Sequence, residues 1–186
     1  MENRMDESLR NKMIETADFI FRHPEVSLQE RESSRALAEM LEGEGFTVEW
    51  NTAGFETAFT AQWGSGKPVI GFLAEYDALP GMGQDPVSHQ QSQNGPGHAC
   101  GHNLLGTGCA GAAVMLKIRM EAEGLPGTIR VYGCPAEEIV VGKIRMNEAG
   151  VFDDLSAAVT WHPLGRNRVS YDIWQAQGIK NYKFYG

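Results

Sequence analysis

Apolar residues recur at close to helical spacing between residues 6 and 22. Leu9, Met13, Ile14, Ala17, Phe19, Ile20 and Phe21 there predict an amphipathic helix. The run stops at His23-Pro24, because proline disfavours helical backbone in the residue before it. Ser27 with Glu30 three residues later reads as a capping box. It opens a second helix, to about residue 42, on Ala36, Leu37, Met40 and Leu41, and Gly43 and Gly45 end it. The pattern then shortens to β-type runs at 46–50, 57–63 and 68–73. Residues 81–101 carry no periodicity, and so long a loop inside a domain is usually functional or mobile.

Residues 103–123 are rich in Leu, Ala and Met and predict a buried helix that stops at Gly124, with Pro126 just beyond. A β-branched run at 128–132 follows, then a short helix at 143–148 ended by Gly150, then a strand at 157–161 before His162-Pro163. Strands alternating with helices predict an α/β fold with a mostly parallel sheet.

The 186 residues, 42% hydrophobic and 22% charged, suffice for one sizeable core. A net charge of −8 argues against a nucleic-acid partner, which needs a basic surface. The chain contains no apolar run of eighteen residues or more, so no membrane span is expected. The first fifteen residues are charged throughout and lack the apolar stretch of a signal peptide. Three cysteines without framework spacing fit a reducing compartment, so a cytoplasmic location is expected.

Placed on this map, the ionisable residues gather at one edge. Asp77 lies past the strand at 68–73, Glu137 and Glu138 past 128–132, and His162 past 157–161. Cys100 and His102 immediately precede the buried helix. Open α/β sheets place their sites beyond the carboxyl ends of the strands. Thiolate, imidazole and carboxylate together suit zinc, manganese, cobalt or nickel better than calcium or magnesium. Of two adjacent acids, one can bind metal while the other accepts a proton. Each piece also has a structural reading. Cys100 and His102 could be a buried thiol and a satisfied histidine, Glu137-Glu138 a solvated helix start. His162 could cap a strand, and Asp77 could begin a turn. His98 reads as supporting or structural, and Cys109 and Cys134 as small hydrophobes. Gly106-x-Gly108-x-x-Gly111 has the spacing of a dinucleotide fingerprint. That motif requires a strand directly before it, and none precedes it here; close helix packing explains these glycines better.

His23-Pro-Glu25, Glu75-Tyr-Asp77-Ala-Leu-Pro80, His98-Ala-Cys-Gly-His102-Asn103, Pro135-Ala-Glu-Glu138 and Trp161-His162-Pro163 together resemble the M20 family of metal-dependent peptidases and amidohydrolases. The Cys-containing motif resembles the aminoacylase and hippurate-hydrolase branch, and the Glu75–Pro80 stretch with Asn103 the p-aminobenzoyl-glutamate hydrolase B-subunit group. The resemblance implies a three-layer αβα catalytic domain. Two divalent ions, zinc or manganese first and cobalt or nickel also, would be held by Cys100, His102, Glu138 and His162. Glu137 would be the general base, and Asp77 would orient a ligand.

The implied reaction is hydrolysis, by a metal-activated water, of an amide next to a carboxylate. Substrates would be N-acyl amino acids or aminobenzoyl-glutamate-like molecules, and full-length relatives would be homo- or hetero-oligomeric. Residues 1–178 would form the N-terminal part of the catalytic domain, and 179–186 the start of a lid or dimerisation domain. A further metal-ligating histidine and the substrate clamp of the family have no counterpart before Gly186. The expectation is therefore a fragment of weak or no activity. The alternatives are a non-catalytic metal- or partner-binding module and a metal-free structural domain.

Overall fold

Asp6 opens the first helix. In the computed structural model, which describes residues 5–89 and 93–166, its carboxylate accepts the Leu9 amide at 2.7 Å, capping α1 (Glu7–Arg22). α2 spans Arg31–Gly43, but the expected capping box does not form. Glu25 takes that role from outside the helix, accepting the Glu32 and Ser33 amides at 3.1 and 2.8 Å. Ser27 and Glu30 are turned inward instead, to Asp77 and Ala136. Buried polar groups there need partners more than a solvent-exposed helix end does.

The five strands are β1 (Thr47–Trp50), β2 (Phe59–Ser65), β3 (Val69–Glu75), β4 (Gly127–Cys134) and β5 (Ala157–Val159), in the order β1-β2-β4-β3-β5. β2 runs antiparallel to both of its neighbours, while β4–β3 and β3–β5 pair in parallel. Four strands therefore point the same way and the sheet is mostly parallel, as expected. The register aligns Ala61 with Val131 and Phe72 with Val131, which puts these apolar side chains on one face.

That face is covered by α2 and by α3 (His102–Glu123), with α1 laid across both helices. Leu37, Leu41, Leu105, Ala110 and Val114 are buried against Ala61, Phe72, Ile129 and Val131. The opposite face presents Tyr132, Cys134 and Leu73 to Met146 of α4 (Gly142–Glu148) and to Phe152 and Leu155. Helices thus lie on both sides of the sheet, giving three layers. The alternation of Val131 and Tyr132, adjacent in β4 and buried on opposite faces, is the period-two rule at work. The domain boundary expected at residue 178 lies outside the described residues.

The glycines of the dinucleotide-like spacing are contact points. A Cβ at Gly106 would lie 2.5 Å from the Glu75 carbonyl oxygen of β3, and one at Gly108 2.7 Å from the Trp161 ring. One at Gly111 would strike the Met13 side chain of α1. Gly106 gives a discriminating test. Helix propensity alone makes Gly→Ala stabilising by about 1 kcal/mol, whereas overpacking against fixed backbone costs about 1–3 kcal/mol. Gly106→Ala is expected to lower the urea midpoint; a raised midpoint would show that α3 does not sit this close to β3.

Candidate metal centre

β3 ends in Glu75, followed by Tyr76 and Asp77. Tyr76 is buried and donates its hydroxyl to the Thr57 carbonyl at 2.6 Å, while Glu75 and Asp77 both reach His102. After β4 the chain turns sharply. Ala136 and Val140 adopt left-handed φ values of 56° and 57° on either side of the acidic pair Glu137-Glu138. Gly142 closes the turn where any Cβ would strike the Pro135 carbonyl, so only glycine fits. After β5, Trp161 donates its indole N–H to the Leu105 carbonyl at 3.1 Å, and His162 follows. Gly101, at φ 85°, turns the loop between Cys100 and His102 into the start of α3.

His102, with no exposed surface, is the hub. Its Nδ1 lies 2.9 Å from Asp77 Oδ1. A carboxylate only accepts, so Nδ1 carries a proton, and in the neutral ring Nε2 keeps its lone pair. Asp77 Oδ2 accepts the Ser27 hydroxyl at 2.7 Å and the Glu138 amide at 2.9 Å. Burial alone would raise the Asp77 carboxyl, but the bonds from His102, Glu138 and Ser27 outweigh it and hold it below its usual range. Burial would likewise lower His102, yet the Asp77 bond and the charges of Glu75, Asp77 and Glu138 raise it.

His102 Nε2 has no hydrogen-bond partner. It faces Glu75 Oε2 at 3.2 Å and Glu137 Oε2 at 3.8 Å. In the tautomer that Asp77 selects these are acceptors facing an acceptor, an arrangement that a shared cation relieves. Beside it Cys100 Sγ lies 3.2 Å from His162 Nε2. His162 Nδ1 is 3.1 Å from the Pro163 carbonyl, which fixes the same tautomer. Glu138 Oε1 is likewise buried without a partner, as are both ring nitrogens of His98. Burial, with the charges of Asp77 and Glu137 adding, raises the Glu138 carboxyl although His102 opposes the shift.

Burial and the charges of Glu138, Glu137 and Glu75 push the Cys100 thiol up to about 12. Cys100 is therefore protonated at neutral pH unless a cation compensates. Burial and the neighbouring His102 bring His98 down to about 4, which leaves it neutral. Four carboxylates, two imidazoles and a thiol meet here against one lysine, a donor set that fits a transition-metal dication. Cys100, His102 and His162 each offer a ligand atom within 4.8 Å of one another, as do Glu75, His102 and Glu137, with His102 shared.

The six residues expected from the sequence, Asp77, Cys100, His102, Glu137, Glu138 and His162, are thus brought to one edge. Glu75 and Lys143 were missed. Lys143 forms an ion pair with Glu75, and the carboxylate charge keeps the ammonium form despite burial. Glu75 could have been found as the charged residue ending an apolar strand two positions before Asp77. Lys143, in the first turn of α4, carries no signal separating it from a surface lysine. Cys109 and Cys134 are buried and donate to the Leu73 and Tyr132 carbonyls, and neither belongs to a ligand group among the described residues. Among the described residues no helix is long and apolar enough to cross a membrane.

The chain is 48% identical over 162 residues to one of the subunits of p-aminobenzoyl-glutamate hydrolase from Escherichia coli, covering 84% of this chain and 33% of that protein. It is 35% identical over 185 residues to the human Xaa-Arg dipeptidase, covering 90% of this chain and 38% of that one. The chain therefore spans about a third of the length of these relatives. A Bacillus subtilis dinuclear metal binding peptidase of the M20 family superposes with a TM-score of 0.69 at 32% identity, covering 83% of this chain and 43% of that one. Residues 71–176, which carry every candidate ligand, match the model of peptidase family M20/M25/M40, and the chain belongs to that family.

Proposed function

We propose that this edge holds divalent metal through Cys100, His102, Glu138 and His162, with Glu75 as a further donor. The protein would use it to hydrolyse an amide bond next to a carboxylate. The observation that carries the reading is the buried Nε2 of His102, which is unpartnered and aimed at two carboxylates while Asp77 holds the other ring nitrogen. Histidine ligands commonly donate their second N–H in this way. Zinc or manganese suit the donor set best, and cobalt or nickel also fit. Bound there, the metal would supply Lewis acidity and lower the pKa of water.

The chain's own residues supply the rest. Asp77 fixes the tautomer and orientation of His102, and Lys143 pairs with Glu75. Glu137, whose side chain is about a third exposed at 37%, is the acid free to accept a proton and return it to the leaving amine. The two relatives are named for hydrolysis of p-aminobenzoyl-glutamate and of Xaa-Arg dipeptides, both amides of amino acids. This supports N-acyl amino acids or aminobenzoyl-glutamate-like molecules as substrates. The Escherichia coli relative is named as one subunit, in keeping with an oligomeric assembly.

Cobalt(II) titration of the 186-residue chain tests the metal reading. A thiolate-to-cobalt charge-transfer band is expected, and Cys100→Ala should remove it and weaken binding. Because the thiol must lose its proton, apparent affinity should rise by about tenfold per pH unit for each proton released. Binding without that band, or with no dependence on pH, would take Cys100 out of the ligand set.

A further inference from the structure

The segment between α1 and α2 sends a fully buried carboxylate toward the acidic pair from behind. Glu30 has no exposed surface. Its Oε1 accepts the Ala136 amide at 2.8 Å and its Oε2 the Thr57 hydroxyl at 3.0 Å. The first bond joins residues 106 apart in sequence and lands on the residue directly before Glu137. Ala136 is also one of the two strained residues of that turn, at φ 56°. Such a conformation persists in a non-glycine residue only where its surroundings over-determine it.

The turn's other bonds do not supply that determination at the amide. The Ala136 carbonyl accepts the Val141 and Gly142 amides, and Val140 bonds back to Glu137; these close the turn on itself. Among the described residues, two bonds anchor the turn's own amides to the rest of the fold: Ala136 N–H to Glu30, and Glu138 N–H to Asp77. The Asp77 bond ties the turn to His102. The Glu30 bond sets the backbone that precedes both acids.

We propose that Glu30 is the positioning residue of the acidic pair. By accepting the Ala136 amide it holds the left-handed turn that places Glu137 and Glu138 beside His102. Its consequence for metal rests on the function proposed above; its geometry does not. If Glu30 only filled the core, relieving strain at Ala136 would not compensate for its loss. If it holds the turn, Ala136→Gly should compensate in part, since glycine adopts this φ without strain.

The test compares the 186-residue chain with Glu30→Gln, Glu30→Met and Glu30→Met/Ala136→Gly. It uses amide hydrogen exchange by NMR without metal, and cobalt(II) affinity. Glutamine keeps an oxygen for the Ala136 amide and offers its NH2 to the Thr57 hydroxyl, which can accept; both readouts should stay within about threefold of the parent. Methionine leaves the Ala136 amide unpaired. Exchange at Ala136 and Glu138 should quicken about tenfold or more relative to Val131 in β4, and cobalt affinity should fall about tenfold.

The double variant should regain at least about threefold of that affinity, together with protection at Glu138. Parent-like exchange in Glu30→Met overturns the proposal, as does equal acceleration at Val131 with no recovery in the double variant. A chain that folds in neither methionine background marks Glu30 as general packing and overturns it too. If the parent binds no cobalt, the metal reading fails, while the exchange rates still decide the role of Glu30.

Discussion

His102→Ala is expected to abolish metal binding outright, where loss of Cys100 or His162 only weakens it. His102 belongs to both ligand groups and offers Nε2 to either, so its removal breaks whichever one holds the ion. Loss of a partner that merely orients a ligand costs roughly 10–100-fold in metal affinity; loss of the shared ligand should exceed that. The measurement is metal content per chain after loading with zinc and dialysis against a weak chelator.

Folding has to be followed alongside. The alanine leaves Asp77 buried without its imidazole partner, at a stability cost of about 3 kcal/mol. Asp77→Asn supplies the comparison. It keeps the bulk and can keep an oxygen toward Nδ1–H, so metal should persist with affinity lowered about 10–100-fold. Zinc retained at full stoichiometry in a folded His102→Ala chain would remove His102 from the centre and with it the proposed arrangement.

The periodicity read from the chain located each helix and strand to within a few residues, because each apolar face was long enough to be distinctive. Residues 103–123 against the observed His102–Glu123 is the clearest case. The edge gathering the ionisable residues was also legible, since Asp77, Glu138 and His162 each follow a recognisable strand. What escaped was whatever depends on contacts across the fold. The Ser27–Glu30 spacing looked like a local cap, yet both side chains serve residues 50 and 106 positions away.

Glu75 was hidden because it closes a strand whose other residues are almost all apolar. Its partner Lys143 comes from a separate element 68 residues on. Local pattern carries no record of such pairings. The antiparallel β2 was invisible for a related reason: a strand's direction is set by the connection that precedes it. Here the turn through Thr52–Gly54, with Asn51 and Ala53 at positive φ, folds β2 back on β1.

Glu137→Gln should separate proton transfer from metal binding. A positioned general base contributes about 10²–10⁴-fold to rate, so under the proposed function any kcat/KM for p-aminobenzoyl-glutamate or an N-acyl amino acid should fall by that factor. Metal content should stay that of the parent. The geometry makes this a real choice, because Glu137 lies 3.8 Å from His102 Nε2 and offers an oxygen to the same group as Glu75. Two observations favour the proton-accepting role. Glu137 is the more exposed of the two acids, at 37% against 14% for the Glu138 side chain, and so the better placed to exchange protons with substrate and water. Glu138 instead has a buried oxygen without a partner, the condition of a ligand atom. Glu138→Gln should accordingly lose metal as well as rate, since an amide oxygen binds a dication more weakly than a carboxylate. Metal lost in Glu137→Gln and kept in Glu138→Gln would reverse the two assignments while leaving the rest of the centre standing.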